Sequence, residues 1–583
     1  MAIPKPQEAT GGEPLITRMV EEDKVRWWNK KNLRIMYLWL FCCCMGVEIT
    51  SGFDSQLIGT LQFSTPFNTY FGDGYKDKDN KPSINPNIIG FMSACYQLGS
   101  ILAVPVSPWL NQRYGRRMSI FVGSIIMVTG AILQGFAQHV GMYIIARMLL
   151  GFGILFAIVS GSALIGELAY PKERPFMTSL FNASYFIGSI TAAAIAIKTT
   201  TIKGNWGWRI PSLLQICPSF LQLATVWLLP ESPRWLISRD RDEEALAILV
   251  KYHAEGDANS ELVHAEMAQI RSTIRLEMEN SSQSWLDMVR TPGMRRRVLI
   301  AVFLGLFTQM SGNTLLSYYQ KLLFELMGFT DDHTKTRINM ANQCWSLLNA
   351  VIIALVVTRF RRRWMFMLSA GSMTMVFMAI TICFQRLQLA KKHGTTNSPA
   401  QVAALFFYFA YSPCYNIGNN SLTYTYLVEI FPYAQRTMGI GIEQIFGKLA
   451  GFFSIYVNPI ALTAIEWKYF AIYCGWITFE FTFVYFVYPE TYNRTLEELA
   501  FCKSMAALLL FPKHHLLTLS VQCSKMTLPM RRPGRRRSLS RAMRLWTMAR
   551  WEQQLLSALL RRAYDGMPLF TIASLHVTKP IQE

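Results

Sequence analysis

Charge is scarce in this sequence. Of its 583 residues only 16% are Asp, Glu, Lys or Arg, while 51% are hydrophobic, a ratio foreign to a soluble chain of this length, which needs a charged surface. Three catalytic signatures are missing as well: a His/Cys/Asp cluster at metal-ligand spacing, a Gly-x-Ser-x-Gly nucleophile turn and a glycine-rich phosphate loop. Their absence argues against an enzyme and gives no reason to expect a cofactor or a metal. The eleven cysteines make no disulfide framework, because Cys42, Cys43, Cys44, Cys95, Cys217, Cys344, Cys383, Cys414 and Cys474 lie inside apolar runs, where a thiol packs as a small apolar group. A cleavable signal is missing too. The first ~34 residues are polar and basic, which leaves the first apolar run to serve as the insertion signal.

What the sequence does have is long apolar runs. Crossing a hydrocarbon core of about 30 Å takes about 20 apolar residues in a helix, since lipid offers a bare backbone N–H or C=O no partner. Twelve runs meet that need, at 35–57, 88–109, 118–138, 142–164, 175–197, 210–229, 298–319, 337–357, 364–385, 400–424, 437–461 and 467–488; they are called spans 1 to 12. The class predicted is an all-α membrane protein. Asp54 interrupts span 1, and Asn416, Asn419 and Asn420 interrupt span 10, so a plain hydropathy scan is expected to score both low. Arg113, Arg116 and Arg117, then Lys172 and Arg174, then Arg359 and Arg361 to Arg363, then Arg436 occupy short connections that all fall on one side. The excess of positive charge makes that side cytoplasmic, with both termini and the central linker.

Landmarks recur across the polar middle of the chain. Glu167 precedes Arg174 by seven positions and Glu429 precedes Arg436 by seven; Arg116 and Arg117 answer to Arg361–Arg363; Pro230-Glu231 returns as Pro489-Glu490. The predicted organisation is an N-terminal segment 1–34, a six-helix bundle 35–229, a cytoplasmic linker 230–297 with short helices, a second six-helix bundle 298–488 and a largely disordered tail 489–583. Residues 504–583 hold thirteen Lys/Arg against three Asp/Glu, half of the chain's net +20. Charge so concentrated points away from nucleic acid. It fits a basic arm drawn to anionic lipid, at about 1 kcal/mol per basic residue, or a wrongly joined terminal exon, and the sequence leaves both open.

Function is to be sought in the polar groups of the spans, because each charge there costs about 2.5–3.5 kcal/mol on insertion scales unless paired or wetted. Asp54 on span 1 and Arg147 on span 4 make a candidate pair, either a proton switch, in which the cation sets the carboxyl's affinity for its proton, or a structural ion pair. Gln97, Asn182, Gln309, Asn313, Asn342, Gln343, Asn416, Asn419 and Asn420 both donate and accept hydrogen bonds and suit a ligand rich in hydroxyls; Tyr318, Tyr319 and Tyr424 suit a sugar face. The same residues also suit interhelical bonds worth about 0.6–2 kcal/mol. At the basic side, Glu167, Arg174, Glu231, Arg234, Glu429 and Arg436 sit where they can bridge to Arg116, Arg117 and Arg361–Arg363 as a cytoplasmic gate that breaks when the halves rock.

Gly-Phe-Asp at 52–54, Arg-Tyr-Gly-Arg-Arg at 113–117, Arg147 with Gly151 and Gly153, Trp208-Arg209-Ile210-Pro211, Pro-Glu-Ser-Pro-Arg-Trp-Leu at 230–236, Gln309-Met-Ser-Gly with Tyr318-Tyr319, Glu429-Ile-Phe-Pro to Arg436 and Pro489-Glu-Thr stand in this order. Together they resemble the sugar porter family of the major facilitator superfamily over roughly residues 35–500, and within it fungal lactose permease-like and hexose transporters. The resemblance implies two six-helix bundles around a central site, transport of a hexose or disaccharide, and proton symport with Asp54 and Arg147 as the coupling pair. It implies sugar contacts at Asn182, Gln309 and Tyr424. It also implies a multi-pass protein of the plasma membrane, monomeric, with sugar, proton and lipid bilayer as its partners. A non-transporting sugar sensor and a proton-independent facilitator on the same fold are the alternatives. The sequence departs from the family pattern at Thr308, Thr314 and Gln112, and Thr358 to Arg363 has neither the acidic residue nor the glycine of its first-half counterpart.

Overall fold

The computed structural model describes residues 25–491 apart from 26, 77–81, 281–286, 330, 357–359, 394, 396 and 432–434. Most of the expected N-terminal segment and nearly all of the expected tail therefore lie outside the described residues. Every predicted span is helical. Span 1 is Lys31–Leu40, a π turn Phe41–Met45 and Gly46–Leu61; span 2 is Pro86–Ala103 and Val106–Tyr114; spans 3 to 5 are Arg116–Gly135, Val140–Leu168 and Arg174–Thr199. Span 6 is Trp206–Leu214 and Ile216–Thr225. Span 7 runs as Pro292–Met310, Asn313–Tyr318 and Gln320–Leu326, span 8 as Asp332–Val356 and span 9 as Arg362–Lys392. Span 10 is Ser398–Tyr415, a π turn Asn416–Asn420 and Thr423–Ile430, followed by Arg436–Ile465 and Lys468–Val487 for spans 11 and 12. The linker forms the helices Pro233–Ile237, Asp242–His253, Glu261–Asn280 and Asp287–Arg290.

Hydropathy alone finds fewer crossings. Among the described residues nine helices are long and apolar enough, or ten with the two pieces of span 2, which meet at a 50° bend. Spans 8 and 10 fall short. Span 1 passes, against expectation, because the apolar run Tyr37–Val47 outweighs Asp54; span 8 fails because Asn339, Asn342, Gln343 and Asn349 line one side of it.

Packing repeats as the landmarks do. Span 1 packs on span 5, span 2 on span 4, and span 3 on spans 4 and 6; six positions on, span 7 packs on 11, 8 on 10, and 9 on 10 and 12. Spans 2 and 11, and spans 5 and 8, join one half to the other. The result is two six-helix bundles meeting along a seam with two-fold character, the arrangement that an internal repeat about an axis along the membrane normal produces.

Close approach of spans 1 and 5 rests on glycine. A methyl group at Gly188 would lie 1.9 Å from the Ile49 carbonyl oxygen, and one at Gly52 1.9 Å from that of Tyr185. No side chain fits there unless the helices part. In lipid, where packing rather than the hydrophobic effect holds helices together, such contacts set stability. Gly188→Ala is expected to lower the stability of the detergent-solubilised protein by about 1–3 kcal/mol. Gly475→Ala on span 12 meets nothing within 4 Å and serves as the control. Equal melting of the two variants would contradict this packing.

Candidate functional site

A cavity of about 300 Å³ lies between the bundles, at the lower end of the range for small-molecule sites. The first half contributes Gln56, Gln97, Asn182, Tyr96 and Tyr185; the second contributes Gln309, Asn313, Asn342, Gln343, Asn419 and Asn420 with Tyr318, Tyr408, Tyr411 and Tyr415. On the side away from the basic loops the halves close on each other. Gln62 Nε2 donates to the Tyr318 carbonyl at 2.8 Å, Gln343 Nε2 to Gln56 Oε1 at 3.0 Å and Gln56 Nε2 to Gln320 Oε1 at 3.3 Å. Phe63 stacks on Phe324 beyond them. The cavity lies on the basic side of this seal, for its lining extends to Glu48, Asn420, Thr423, Glu443 and Lys448, nearer the basic ends of spans 1, 10 and 11.

A break in span 7 creates much of this wall. Gly312 has φ +96°, left-handed backbone that ends the helix, and a methyl group there would meet the Phe377 ring at 2.2 Å. Breaking a helix at membrane depth frees carbonyls that lipid cannot satisfy. Span 10 supplies the donors: Tyr415 Oη reaches the Thr308 carbonyl at 2.7 Å and Tyr411 Oη that of Ser311 at 3.1 Å. The π turn Asn416–Asn420 turns Asn419 and Asn420 to the cavity, whereas Asn416 is spent on Asn349 and Asn420 within the bundle.

Asp54 and Arg147 meet, Arg147 Nη1 to Asp54 Oδ1 at 2.6 Å, with 4% of the Asp54 side chain and 0% of the Arg147 side chain exposed. The pair is incompletely answered: Asp54 Oδ2 and Arg147 Nε and Nη2 have no hydrogen-bond partner. Arg147 lies over the Tyr96 ring, 5.1 Å from its centroid, and Tyr96 lines the cavity. One aromatic ring therefore stands between a buried ion pair and the central space.

Of the predicted ligand residues with described side chains, Gln97, Asn182, Gln309, Asn313, Tyr318, Asn342, Gln343, Asn419 and Asn420 reach this cavity, and Asn416 and Tyr319 do not. The side chains of Tyr424 and Arg436 lie outside the described residues. Tyr319 is a correction: it is fully buried and donates to the Ile455 carbonyl at 2.6 Å, one helical position round from Tyr318, which does face the space. Sequence reasoning missed Glu48, Glu443 and Lys448. They are charges inside predicted spans 1 and 11, the same signal that singled out Asp54.

The basic face is built twice. Glu231 accepts the backbone N–H of Arg116 at 3.1 Å, of Arg117 at 3.2 Å and of Ser232 at 2.9 Å, so a carboxylate sits on the N-terminus of span 3. Gly115, at φ +92°, admits it; a methyl group there would lie 2.5 Å from Glu231 Oε2. Arg116 pairs with Glu167 at 3.1 Å, and Arg117 donates to the carbonyls of Val226 and Trp227 while stacking on Trp227. In the second half Glu490 accepts the N–H of Arg362 at 3.0 Å, Arg362 pairs with Glu429 at 3.3 Å, and Arg363 donates to the Tyr485 carbonyl while stacking on that ring. Arg361 replaces the glycine and enters the helix from extended backbone at φ −69°.

Both bridges run inside a half, so what they fasten is each bundle's own end; the expected bridging of Arg174 to the arginine clusters is replaced by a contact to the linker, 3.9 Å to Glu266. Glu266 also meets His253 Nδ1 at 2.6 Å, and His253 Nε2 lies 3.2 Å from the Leu168 carbonyl at the end of span 4. Burial alone would raise the Glu266 carboxyl, yet the charges of His253, Arg174 and nearby Arg234 outweigh it and hold it below its ordinary range.

Two repeated bundles around a central polar cavity are the architecture of a secondary transporter. The family model for sugar (and other) transporters matches residues 39–501, and the chain belongs to that family, the sugar porters of the major facilitator superfamily. It is similar to the MFS-type transporter oryC of Aspergillus oryzae (28% identity, 70% of this chain and 76% of that protein) and to the high-affinity glucose transporter of Kluyveromyces lactis (26%, 80% and 84%). It is also similar to the arabinose-proton symporter of Bacillus subtilis (27%, 72% and 87%). Among solved structures it shares its fold with the xylose transporter XylE from E. coli, inward open (TM-score 0.64, 19% identity, 80% of this chain and 99% of that one). The proton:xylose symporter XylE bound to 6-bromo-6-deoxy-D-glucose matches with TM-score 0.65 at 20% identity, over 80% and 99%.

The doubled basic face makes a direct forecast. Glu231→Ala and Glu490→Ala remove the acceptors from two helix N-termini, and each is expected to lower stability by about 1–3 kcal/mol, with Gln in place of Ala recovering part of the loss. Thermal unfolding of the purified variants measures it. Alanine variants that melt with the unaltered protein would show these carboxylates to be dispensable.

Proposed function

We propose that this chain carries a hexose or disaccharide across the plasma membrane by proton symport, with the basic face cytoplasmic. The observation that supports this most is the cavity itself, whose amides and hydroxyls come from both bundles, so that a ligand there is held by both halves and released as they part. Such groups donate and accept without charge and match the edges of a sugar, while the tyrosines offer apolar faces. Relatives named as glucose and arabinose-proton transporters agree with this chemistry. The seal away from the basic loops and the lining toward them fit an inward-facing state.

Asp54 and Arg147 supply the coupling. Asp54 binds a proton when water reaches it, and Arg147 stabilises the ionised carboxyl when the proton leaves. In the described conformation the pair is closed, which fits the state after the proton has left. Asp54→Asn keeps size and hydrogen bonding but cannot ionise. Uphill accumulation and the accompanying alkalinisation of the medium are expected to vanish while exchange of labelled for unlabelled sugar survives. Retained pH-driven accumulation would sink the assignment, and loss of exchange with accumulation would return the pair to a structural role.

A second reading draws on Lys448, which lines the cavity with Glu48 and Glu443 and is attracted by both carboxylates. A neutral sugar needs no ammonium at membrane depth, whereas a sugar acid would place its carboxylate on Lys448. On this reading glucuronate competes with labelled sugar uptake and Lys448→Gln abolishes that competition alone. Neutral sugars competing equally in both proteins, with glucuronate inert, would leave the neutral cargo.

A further inference from the structure

Glu480 on span 12 is a carboxyl that the coupling scheme above does not use. It is 1% exposed, on the face that also buries Tyr473, Ile477 and Val484. Its partners are neutral: Ser311 Oγ lies 2.6 Å from Oε2, and Asn419 Nδ2 donates to Oε1 at 2.9 Å. Around it stand Tyr411 and Tyr415 of span 10 and Tyr488 at the end of its own span, with Glu443 of span 11 acting on the same surroundings. The inward face of span 9 is apolar apart from Ser369. Neither Lys nor Arg is among its described hydrogen-bond or ion-pair partners.

The hydrogens available to those contacts favour one protonation state. Ser311 Oγ owns one hydrogen and has two oxygens in reach, Glu480 Oε2 and the Phe307 carbonyl. Asn419 Nδ2 fills its acceptor side from 3.2 Å. If Glu480 is ionised, the Ser311 proton serves only one of the two contacts and the other is left as bare oxygen against oxygen. If Glu480 is protonated, it donates to Ser311, Ser311 donates to Phe307, and every contact holds a hydrogen. Burial beside neutral partners favours the same state.

We propose that Glu480 is a second proton-binding site, protonated in the described conformation and joined to the cavity through Asn419. Asn419 lines the central space, so a ligand hydroxyl that takes its N–H draws on the bond that holds Glu480. The site belongs to the second half, as Asp54 and Arg147 belong to the first, and it does not depend on which cargo the cavity takes.

Infrared spectroscopy of the full chain in lipid reads the proton directly. At neutral pH the protein is expected to show a carboxylic-acid C=O absorption, shifted in D₂O, that disappears in Glu480→Gln and persists in Asp54→Asn. A Glu480→Gln spectrum that overlays the unaltered one in this region overturns the proposal. Should that variant not fold, Ser311→Ala carries the test: the band moves to higher frequency when its acceptor is removed, and an unmoved band overturns the proposal equally. Neither readout needs transport, so failure here and failure of the sugar reading remain distinct.

Discussion

A helix entering a membrane begins with backbone N–H groups that have no intrahelical partner, and in this chain carboxylates from outside the bilayer answer them. Glu231 seats on span 3 and Glu490 on span 9. Glu255 of the linker accepts the N–H of Asn32 and of Leu33 at the start of span 1. The topology signal makes these carboxylates necessary. Lysines and arginines gathered on one side for orientation fall at the first turns of those same spans, where the positive end of the helix dipole repels them. A carboxylate at the helix start offsets both charges at once and receives the orphan donors. The linker is thereby more than a connection: it carries both of the anions, Glu231 and Glu255, that seat on the first bundle's helix starts.

The second constraint is inside. A straight span 7 would satisfy its own backbone and present a plain helical face, whereas the break at Gly312 leaves carbonyls open and lets Asn313 turn to the cavity. Tyr411 and Tyr415 repair the break, Ser311 and Asn419 gather around it, and Glu480 completes the cluster. Irregular backbone at membrane depth is tolerated only where protein or a cavity surrounds it, and here both do. Tyr411, Tyr415 and Asn419 both answer the break and line the cavity, so a ligand that engages them acts on the geometry of the break.

Most of the fold was readable from the residues because membrane helices obey a length rule and a charge rule, and the repeated landmarks announced the two halves. Asp54 and Arg147 were readable for a related reason, since charges that lipid penalises need a partner. Applied evenly, that rule would also have found Glu48, Glu443, Lys448 and Glu480; attention to amides hid them. Tyr411 and Tyr415 were not readable, because their role exists only once span 7 breaks beside them. Tyr319 was misread through its neighbour, for a single helical step separates the cavity from the core. Glu255 gave no local sign at all, lying 223 residues from the helix it caps.

The two halves share a skeleton yet treat buried charge differently. In the first, a carboxylate is held by a guanidinium, so removing either partner strands a charge in the bilayer, and the pair must open or close as a unit. In the second, the carboxyl is held by a hydroxyl and an amide, and its neutral form fits those partners without any cation. On the proposed scheme a proton competes with an arginine on one side of the cavity, and on the other with no cation among the described hydrogen-bond and ion-pair partners of Glu480. On the proposed coupling, the first site passes its proton on when Arg147 returns, while the proposed second site keeps its own until its hydrogen-bond partners move. The two proposals together put release in the first half and retention in the second, with the shared cavity between them as the place where a cargo can affect both.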